Sequence, residues 1–331
     1  MNGVALVLIL LAAPAAAQDI VRVSSARASG EMKVTGRVLD YTGNGLRLQL
    51  TGGRERTFPV DQVLEIETAR TRNHDLADMA FALSRFEQAL TLYRQALQDE
   101  TRHWVRRQII ARMVYCYRSL DQPGPAGETF LLLIRSDPST PYFDCIPLAW
   151  ISRQPSPALA QSARQWLSRT EPAAVLLGAS HLLGGPSHRA ALAKLNGLVI
   201  DGEGRVSQLA LAQTWRAALA TADESQLVSW QRTIEKIPEP LAAGPNFVVG
   251  LALAQRQQWE QSALAMMRVA ILYRGQRALA ARSLLEAGRA LERLERTKQA
   301  VHLYRELIRE YPNTRPVAEA RSRIEAVSDK L

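Results

Sequence analysis

Three arginines near the C-terminal end have the spacing best suited to chemistry in this sequence. Arg282, Arg289 and Arg293 are seven and four residues apart, so they fall on one stripe of a helix. A guanidinium group donates two parallel hydrogen bonds to a carboxylate, and a row of such groups clamps a chain of carboxylates. The spacing therefore predicts a site for an acidic peptide or for a C-terminal carboxylate.

Motifs that support catalysis or cofactor binding are absent from the sequence. None of the patterns HExxH, GxSxG, GxGxxG or GxxxxGKS/T occurs, so metallopeptidase, serine-hydrolase, dinucleotide and P-loop chemistry each lack their minimum set of residues. The five histidines show no metal-ligand spacing, and there is no CxxC motif. We predict that the chain is not an enzyme and that it holds no metal and no cofactor.

The positive net charge does not indicate a nucleic-acid partner. Lysine and arginine number 41 against 32 aspartates and glutamates, which gives a formal net charge of +9. The basic residues are spread along the chain and mixed with acidic ones, whereas a single-strand binding platform concentrates them beside aromatic side chains. We therefore expect a protein or peptide partner and no nucleic acid.

The first 17 residues have the pattern of a secretory signal peptide. Val4 to Ala13 is an unbroken apolar run, which is too short to span a membrane comfortably as a helix. Small residues follow it up to Ala17, where we place the cleavage site. The mature chain is therefore expected to be periplasmic or secreted and to carry no membrane-spanning segment.

Cys116 and Cys145 are the only two cysteines. In an oxidising compartment they can pair as a disulfide. Otherwise they are two small buried apolar residues. The sequence leaves both interpretations open.

Residues 18–69 alternate between apolar and polar side chains. Leu46, Leu48 and Leu50 are separated by Arg47 and Gln49. Two other runs alternate in the same way: Val34, Gly36 and Val38, and then Leu64 and Ile66. A period of two places one face of each strand on a core. The pattern predicts a small β module that resembles SH3-like or Sm-like barrels, either a docking module or, as we favour, a cap on the helices that follow.

From residue 70 onward the sequence predicts helices that repeat at a fixed distance. A small residue is followed four positions later by a large apolar or aromatic residue, and three positions after that by another apolar residue. The triplets are Ala89, Tyr93 and Ala96; Ala126, Phe130 and Leu133; Ser262, Met266 and Val269; and Ala300, Tyr304 and Leu307. The first two are 37 residues apart and the last two are 38 apart. Such a period indicates stacked helical hairpins.

These residues resemble the tetratricopeptide repeat family, in which a small residue of the first helix faces a small residue of the second. The pairs that fit are Ala77 with Ala89, Gly250 with Ser262, and Gly288 with Ala300. The resemblance lies within residues 70–140 and 244–331, and the last stretch is expected to be a capping helix. Residues 141–243 are predicted to be helical, with either tetratricopeptide-like or HEAT-like pairs. The fold class implied is mainly α, an α-solenoid preceded by a small β-barrel-like module.

The resemblance also implies a function. In tetratricopeptide arrays the first helices line a concave groove that binds extended peptides. Carried over to this sequence, the groove candidates are Tyr115, Arg118, Phe247, Arg282, Arg289 and Arg293. We therefore expect an exported protein-binding scaffold or adaptor, in the setting of envelope assembly, whose capture of an acidic peptide is abolished when Arg289 and Arg293 are replaced by glutamate. The alternative is a protein that associates with cell-wall glycan through the β module.

Overall fold

The N-terminal part of the molecule is a five-stranded antiparallel sheet. The computed structural model describes residues 18–24 and 30–328, so the predicted signal peptide lies outside the described residues. The strands are β1 (Asp19–Ser24), β2 (Glu31–Thr42), β3 (Gly45–Leu50), β4 (Glu55–Phe58) and β5 (Val63–Glu67). They are arranged in the order β4-β3-β2-β1-β5, a meander whose last strand returns beside the first.

The predicted alternation of side chains is confirmed in β3. Leu46 and Leu48 are fully buried, and Arg47 between them is exposed. β5 differs, because its pairing with β1 shifts register between Arg22 and Val23 and the alternation is interrupted there. As a result Leu64 is 48% exposed, and the prediction that it faces the core is wrong.

Fourteen helices follow the sheet in the described part of the chain. They are α1 (Arg72–Ala82), α2 (Phe86–Asp99), α3 (His103–Ser119), α4 (Pro123–Ser136), α5 (Pro157–Leu167), α6 (Pro172–Leu182), α7 (His188–Ile200), α8 (Gly204–Trp215), α9 (Glu224–Ile234), α10 (Ala243–Gln255), α11 (Trp259–Leu272), α12 (Arg277–Arg293), α13 (Thr297–Glu310) and α14 (Pro316–Ser328). The fold is therefore mainly α, a solenoid-like array preceded by a small sheet, as predicted. Among the residues described, no helix combines the length and the apolar character needed to span a bilayer.

The β2–β3 hairpin attaches the sheet to the helices. Arg107 of α3 donates hydrogen bonds to the side chain of Asp40 and, over 3.0 Å, to the carbonyl oxygen of Tyr41. The amide of Gly43 donates to Asp137 over 3.0 Å, just after α4. Arg107 is only 5% exposed, and a buried charge needs such partners. These contacts support the interpretation of the β module as a cap on the helices.

Four hairpins share one turn geometry. In the turns α1–α2, α3–α4, α10–α11 and α12–α13, one non-glycine residue has a φ between 53° and 59°. These residues are Ser84, Asp121, Gln257 and Glu295, each five positions before the small residue of the second helix. A non-glycine residue with positive φ is uncommon, so its recurrence at one position indicates a common backbone. The repeat register predicted from the small residues is confirmed.

The hairpins nest through these small residues. Gly288 of α12 lies so close to Tyr304 of α13 that a Cβ atom at Gly288 would be 2.6 Å from the ring carbon Cζ. A Cβ atom at Gly250 would be 2.8 Å from Cε of Met266, and the hydroxyl of Ser262 donates a 2.9 Å hydrogen bond to the carbonyl oxygen of Gly250. The other small positions, Ala77, Ala89 and Ala300, are fully buried. Larger side chains would hold the helix backbones apart.

Residues 146–155, here called the inner segment, form neither helix nor strand. Within the middle region, residues 141–243, this stretch differs from the α-helices, which begin at Pro157. Pro147, Pro155 and Pro157 explain the difference, because proline lacks an amide donor and disfavours the helical conformation of the residue before it. Helices α5 to α9 follow, and α6, α8, α10, α12 and α14 contact one another in succession as one layer.

The C-terminal helices return to the N-terminal ones. We call α1–α4 the N-terminal block and α10–α14 the C-terminal block. Helix α12 contacts α3, and Arg118 at the end of α3 donates a 3.1 Å hydrogen bond to Gln276. Between the neighbouring turns, Arg315 pairs with Asp121 over 2.5 Å. The array therefore curves until its two ends meet, with polar side chains at the junction.

Both cysteines are free thiols and fully buried. Burial raises the pKa of the Cys116 thiol to about 12, and it also raises the pKa of Cys145. Because the thiolate is the reactive form, neither side chain is expected to react with reagents in solution while the protein is folded. The structure thus contains two small buried residues and no disulfide between them.

Candidate functional site

A groove with a volume of about 390 Å³ lies where the two blocks meet. It is lined by the C-terminal end of α3 with the turn that follows, by the inner segment, by the start of α12 with the turn before it, and by the turn between α13 and α14 with the start of α14. Leu159 of α5 and His181 of α6 complete the lining. Helices α3 and α12 are the first helices of their hairpins. This surface, here called the central groove, therefore includes the face on which first helices meet.

Buried polar side chains hold the inner segment in place. The amide of Ala149 donates a 2.8 Å hydrogen bond to the hydroxyl of Ser180, and its carbonyl oxygen accepts a 3.1 Å hydrogen bond from Gln213. His181 donates to the carbonyl oxygen of Pro147 over 2.9 Å. Ser180, Gln213 and His181 are each no more than 7% exposed. With the backbone groups of Pro147 and Ala149 satisfied by buried side chains, this part of the inner segment forms a fixed wall of the groove.

Trp150 anchors the same wall by packing on α10. Its indole lies directly against Gly244, where any Cβ atom would overlap the ring. Only 9% of Trp150 is exposed, and burying an aromatic side chain of this size contributes several kcal/mol, of order 3 to 5 by truncation to alanine. Leu148, Ile151 and Leu159 line the groove beside it. The central groove therefore has an apolar floor.

The rim of the central groove contains more arginines than carboxylates, and one of these arginines, Arg282, is paired with Glu286 of its own helix over 2.5 Å. Five arginines line the rim: Arg118, Arg153, Arg277, Arg282 and Arg315. The lining carboxylates are Asp121 and Glu319, and Glu319 is held by Arg289 and, over 3.1 Å, by Arg323. Guanidinium groups remain charged at any physiological pH and bind carboxylates through paired hydrogen bonds. The rim therefore favours an anionic ligand.

The hairpin that provides much of this rim has a counterpart among known families. A family model described as a tetratricopeptide repeat matches residues 282–314. Residues 282–314 thus resemble one tetratricopeptide repeat. The match includes the Gly288 and Ala300 pair and ends at Thr314, directly before Arg315. A comparison of the chain with curated proteins finds no match.

Three of the six predicted groove residues line the central groove: Tyr115, Arg118 and Arg282. The hydroxyl of Tyr115 donates to Asp144, and burial raises the pKa of this phenol. Arg118 donates to the carbonyl oxygens of Asp144 over 3.4 Å and of Cys145 over 3.3 Å. The register taken from the tetratricopeptide repeat therefore places these three residues at the central groove.

The other three predicted residues do not line the central groove. Phe247 is fully buried, so its assignment as a groove contact is wrong: it packs in the core of the C-terminal block. Arg289 donates to Glu286 over 2.9 Å and also pairs with Glu319 of α14. The guanidinium group of Arg293 lies 5.7 Å from the ring centroid of Trp259. Side chains of neighbouring helices in the array thus already engage both arginines.

Several lining residues were not among the sequence-based candidates. Arg153 belongs to the inner segment, and Asp121 and Arg315 lie in turns that outline the repeats. For Arg153 the sequence offers one signal: the prolines around the inner segment exclude a regular helix there and so indicate an irregular stretch. No signal in the sequence indicates that the two turns meet, since this follows from the curvature of the whole array.

His181, the histidine in the groove lining, serves to hold the inner segment. Burial lowers the pKa of His181 to about 4, so its imidazole is neutral at pH 7 and serves as a hydrogen-bond donor. Among the described residues, no group of three or more histidine, cysteine or acidic side chains is placed to hold a metal ion. What the groove offers a ligand is an apolar floor and a row of guanidinium groups.

Proposed function

We propose that this protein is a non-enzymatic scaffold that binds a partner protein through an acidic, extended peptide held in the central groove. Tetratricopeptide repeats generally mediate protein–protein binding, and residues 282–314 match that family. The observation that carries the proposal is the composition of the rim, where five arginines stand against two carboxylates. An alternation of apolar and acidic side chains in the ligand would match the apolar floor and this rim.

A buried cation near the groove supports the acidic preference. Arg216, which follows α8, is 6% exposed and donates to the carbonyl oxygen of Ser180 over 2.9 Å and to Gln213 over 2.5 Å. Burial lowers its pKa to about 10, with no carboxylate of the described chain to offset the effect. The guanidinium group is therefore still charged at pH 7 and lies beneath the wall of the groove. An uncompensated buried charge adds to the positive potential that attracts anions.

Two labelled decapeptides test the proposal by fluorescence anisotropy. One alternates leucine and aspartate and has a free C-terminus; in the other, asparagine replaces aspartate and the C-terminus is amidated. We expect the acidic peptide to bind at least about tenfold more tightly, a difference of about 1.4 kcal/mol. The double variant Arg153→Gln, Arg282→Gln should remove most of this preference, because both side chains belong to the rim.

Arg309→Gln on α13 is the matched control. Arg309 has a side chain that is 73% exposed, and it does not belong to the groove lining. Its replacement removes one positive charge from the protein and should leave the affinity unchanged. The proposal is rejected if the two peptides bind equally, if Arg309→Gln matters as much as the rim variants, or if purified cell-wall glycan binds while neither peptide does.

Export to the periplasm or medium, in the setting of envelope assembly, is the second part of the proposal. It is supported by the apolar run from Val4 to Ala13 and the small residues up to Ala17. N-terminal sequencing of protein recovered from an export-competent host should begin at Gln18. A full-length chain that keeps Met1 would overturn the export proposal.

The β module is proposed to be SH3- or Sm-like. The strand order β4-β3-β2-β1-β5 supports this.

A further inference from the structure

Asp121 is a carboxylate placed among the arginines of the central groove. Its Oδ2 atom lies 2.5 Å from Nη2 of Arg315 and 3.9 Å from Nη1 of Arg153. All three side chains line the groove and are at least 50% exposed. The other lining carboxylate, Glu319, is held by Arg289 and Arg323 instead. Asp121 thus has the position that a carboxylate of an acidic ligand would take.

The backbone of the α3–α4 turn places this carboxylate. Asp121 has a φ of 53°, in the left-handed region that aspartate and asparagine tolerate better than most residues. The turn belongs to the N-terminal block, whereas Arg315 belongs to the C-terminal block and Arg153 to the inner segment. One carboxylate therefore connects three separate parts of the chain at the edge of the groove.

Because these side chains are exposed, a ligand carboxylate can readily replace Asp121 in its ion pairs with Arg315 and Arg153. Water screens an ion pair on the surface, and two long side chains lose freedom when they form it, so such pairs contribute little to stability. A ligand with several carboxylates can offer Arg153 and Arg315 the same hydrogen bonds and engage further rim arginines at the same time. Replacement of Asp121 by such a ligand is therefore favourable.

We propose that Asp121 is an internal competitor for the central groove. It holds Arg315 and Arg153 in the free protein and gives way to a carboxylate of the bound peptide. Its displacement exchanges the ion pairs of Asp121 with Arg315 and Arg153 for ion pairs between the same arginines and the bound peptide. This inference rests on the proposed function, because it requires an acidic ligand in the groove.

Two variants that break the same ion pair distinguish this role from a structural one. Asp121→Asn keeps a residue that tolerates the left-handed turn and frees both arginines. Arg315→Gln removes one of the groups that the ligand needs. We expect Asp121→Asn to bind the acidic decapeptide about fivefold more tightly and Arg315→Gln about fivefold more weakly, a coupling at the lower end of the usual range. If the ion pair only stabilises the closed array, both variants change the affinity in the same direction.

The outcomes separate this inference from the proposed function. If the wild-type protein does not distinguish the acidic from the neutral decapeptide, the proposed function fails and the inference fails with it. If it does distinguish them but Asp121→Asn binds no more tightly, only the inference is overturned. Glu310→Gln serves as the control, because Glu310 is an exposed carboxylate paired with Arg309 and is not part of the groove lining.

Discussion

Replacing Gly288 by alanine is expected to lower the free energy of unfolding by about 2 kcal/mol, as overpacking of a well-filled core does. The new Cβ atom would lie 2.6 Å from Cζ of Tyr304. The tyrosine cannot easily move aside, because it is fully buried and its hydroxyl donates a 2.8 Å hydrogen bond to Glu292. Helix propensity acts in the opposite direction and favours alanine by up to about 1 kcal/mol. A net loss of stability in Gly288→Ala would therefore show that α12 and α13 cross too closely to accept the added methyl group.

Gly197→Ala is the matched control for this substitution. Gly197 lies inside α7, and no heavy atom lies within 4 Å of the position that its Cβ would take. This variant should gain up to about 1 kcal/mol from helix propensity alone. Urea unfolding followed by circular dichroism measures both variants. If Gly288→Ala is as stable as Gly197→Ala, the nesting of the hairpins through small residues is contradicted.

A fall in pH from 7 to 4 is expected to remove about 3 kcal/mol of stability through His181 alone. Burial lowers the pKa of this histidine from 6.5 to about 4 in the folded protein, and Arg216 nearby lowers it further, against the opposing effect of the hydrogen bond to Pro147. Between these two pKa values the unfolded chain binds a proton that the folded chain does not. Protonation thus favours unfolding, so the contribution is complete above pH 6.5 and is lost as the pH falls towards 4.

His181→Gln isolates this contribution, because its amide can donate to the carbonyl oxygen of Pro147 and does not titrate. The free energy of unfolding of this variant should depend less on pH between 4 and 6.5, the interval that the shifted pKa defines. The free energy of unfolding of this variant should still depend on pH to some extent, since burial also lowers the pKa of His74. An identical pH dependence in the variant and the wild-type protein would show that His181 is not buried as described.

Local spacing was sufficient to predict the repeated hairpins. Small residues such as Ala89 and Ala300 recur at an interval set by helix geometry, and helix pairs can approach closely only where side chains are small. The strand alternation in β3 follows from the same kind of local rule. Leu64 was misplaced because a shift of register depends on the partner strand, which the spacing within β5 does not report.

The central groove was only partly predictable, for a different physical reason. Tyr115, Arg118 and Arg282 lie on first helices, so the repeat register located them. Arg289 lies on the same stripe as Arg282 and shares Glu286 with it, but Arg289 is also held by Glu319 on the next helix. Asp121 and Arg315 come together only because the array curves through many small rotations between neighbouring hairpins. Such accumulated curvature cannot be derived from residue spacing.

Hydrogen–deuterium exchange with and without the acidic decapeptide tests most directly whether the central groove is the binding site. The account predicts slower exchange in the inner segment and at the start of α12 when the peptide is bound. Exchange in α11 and α13, the second helices of their hairpins, should stay the same. Protection confined to the β module or to α11 and α13, or no protection at saturating peptide, would contradict the assignment of the central groove as the binding site.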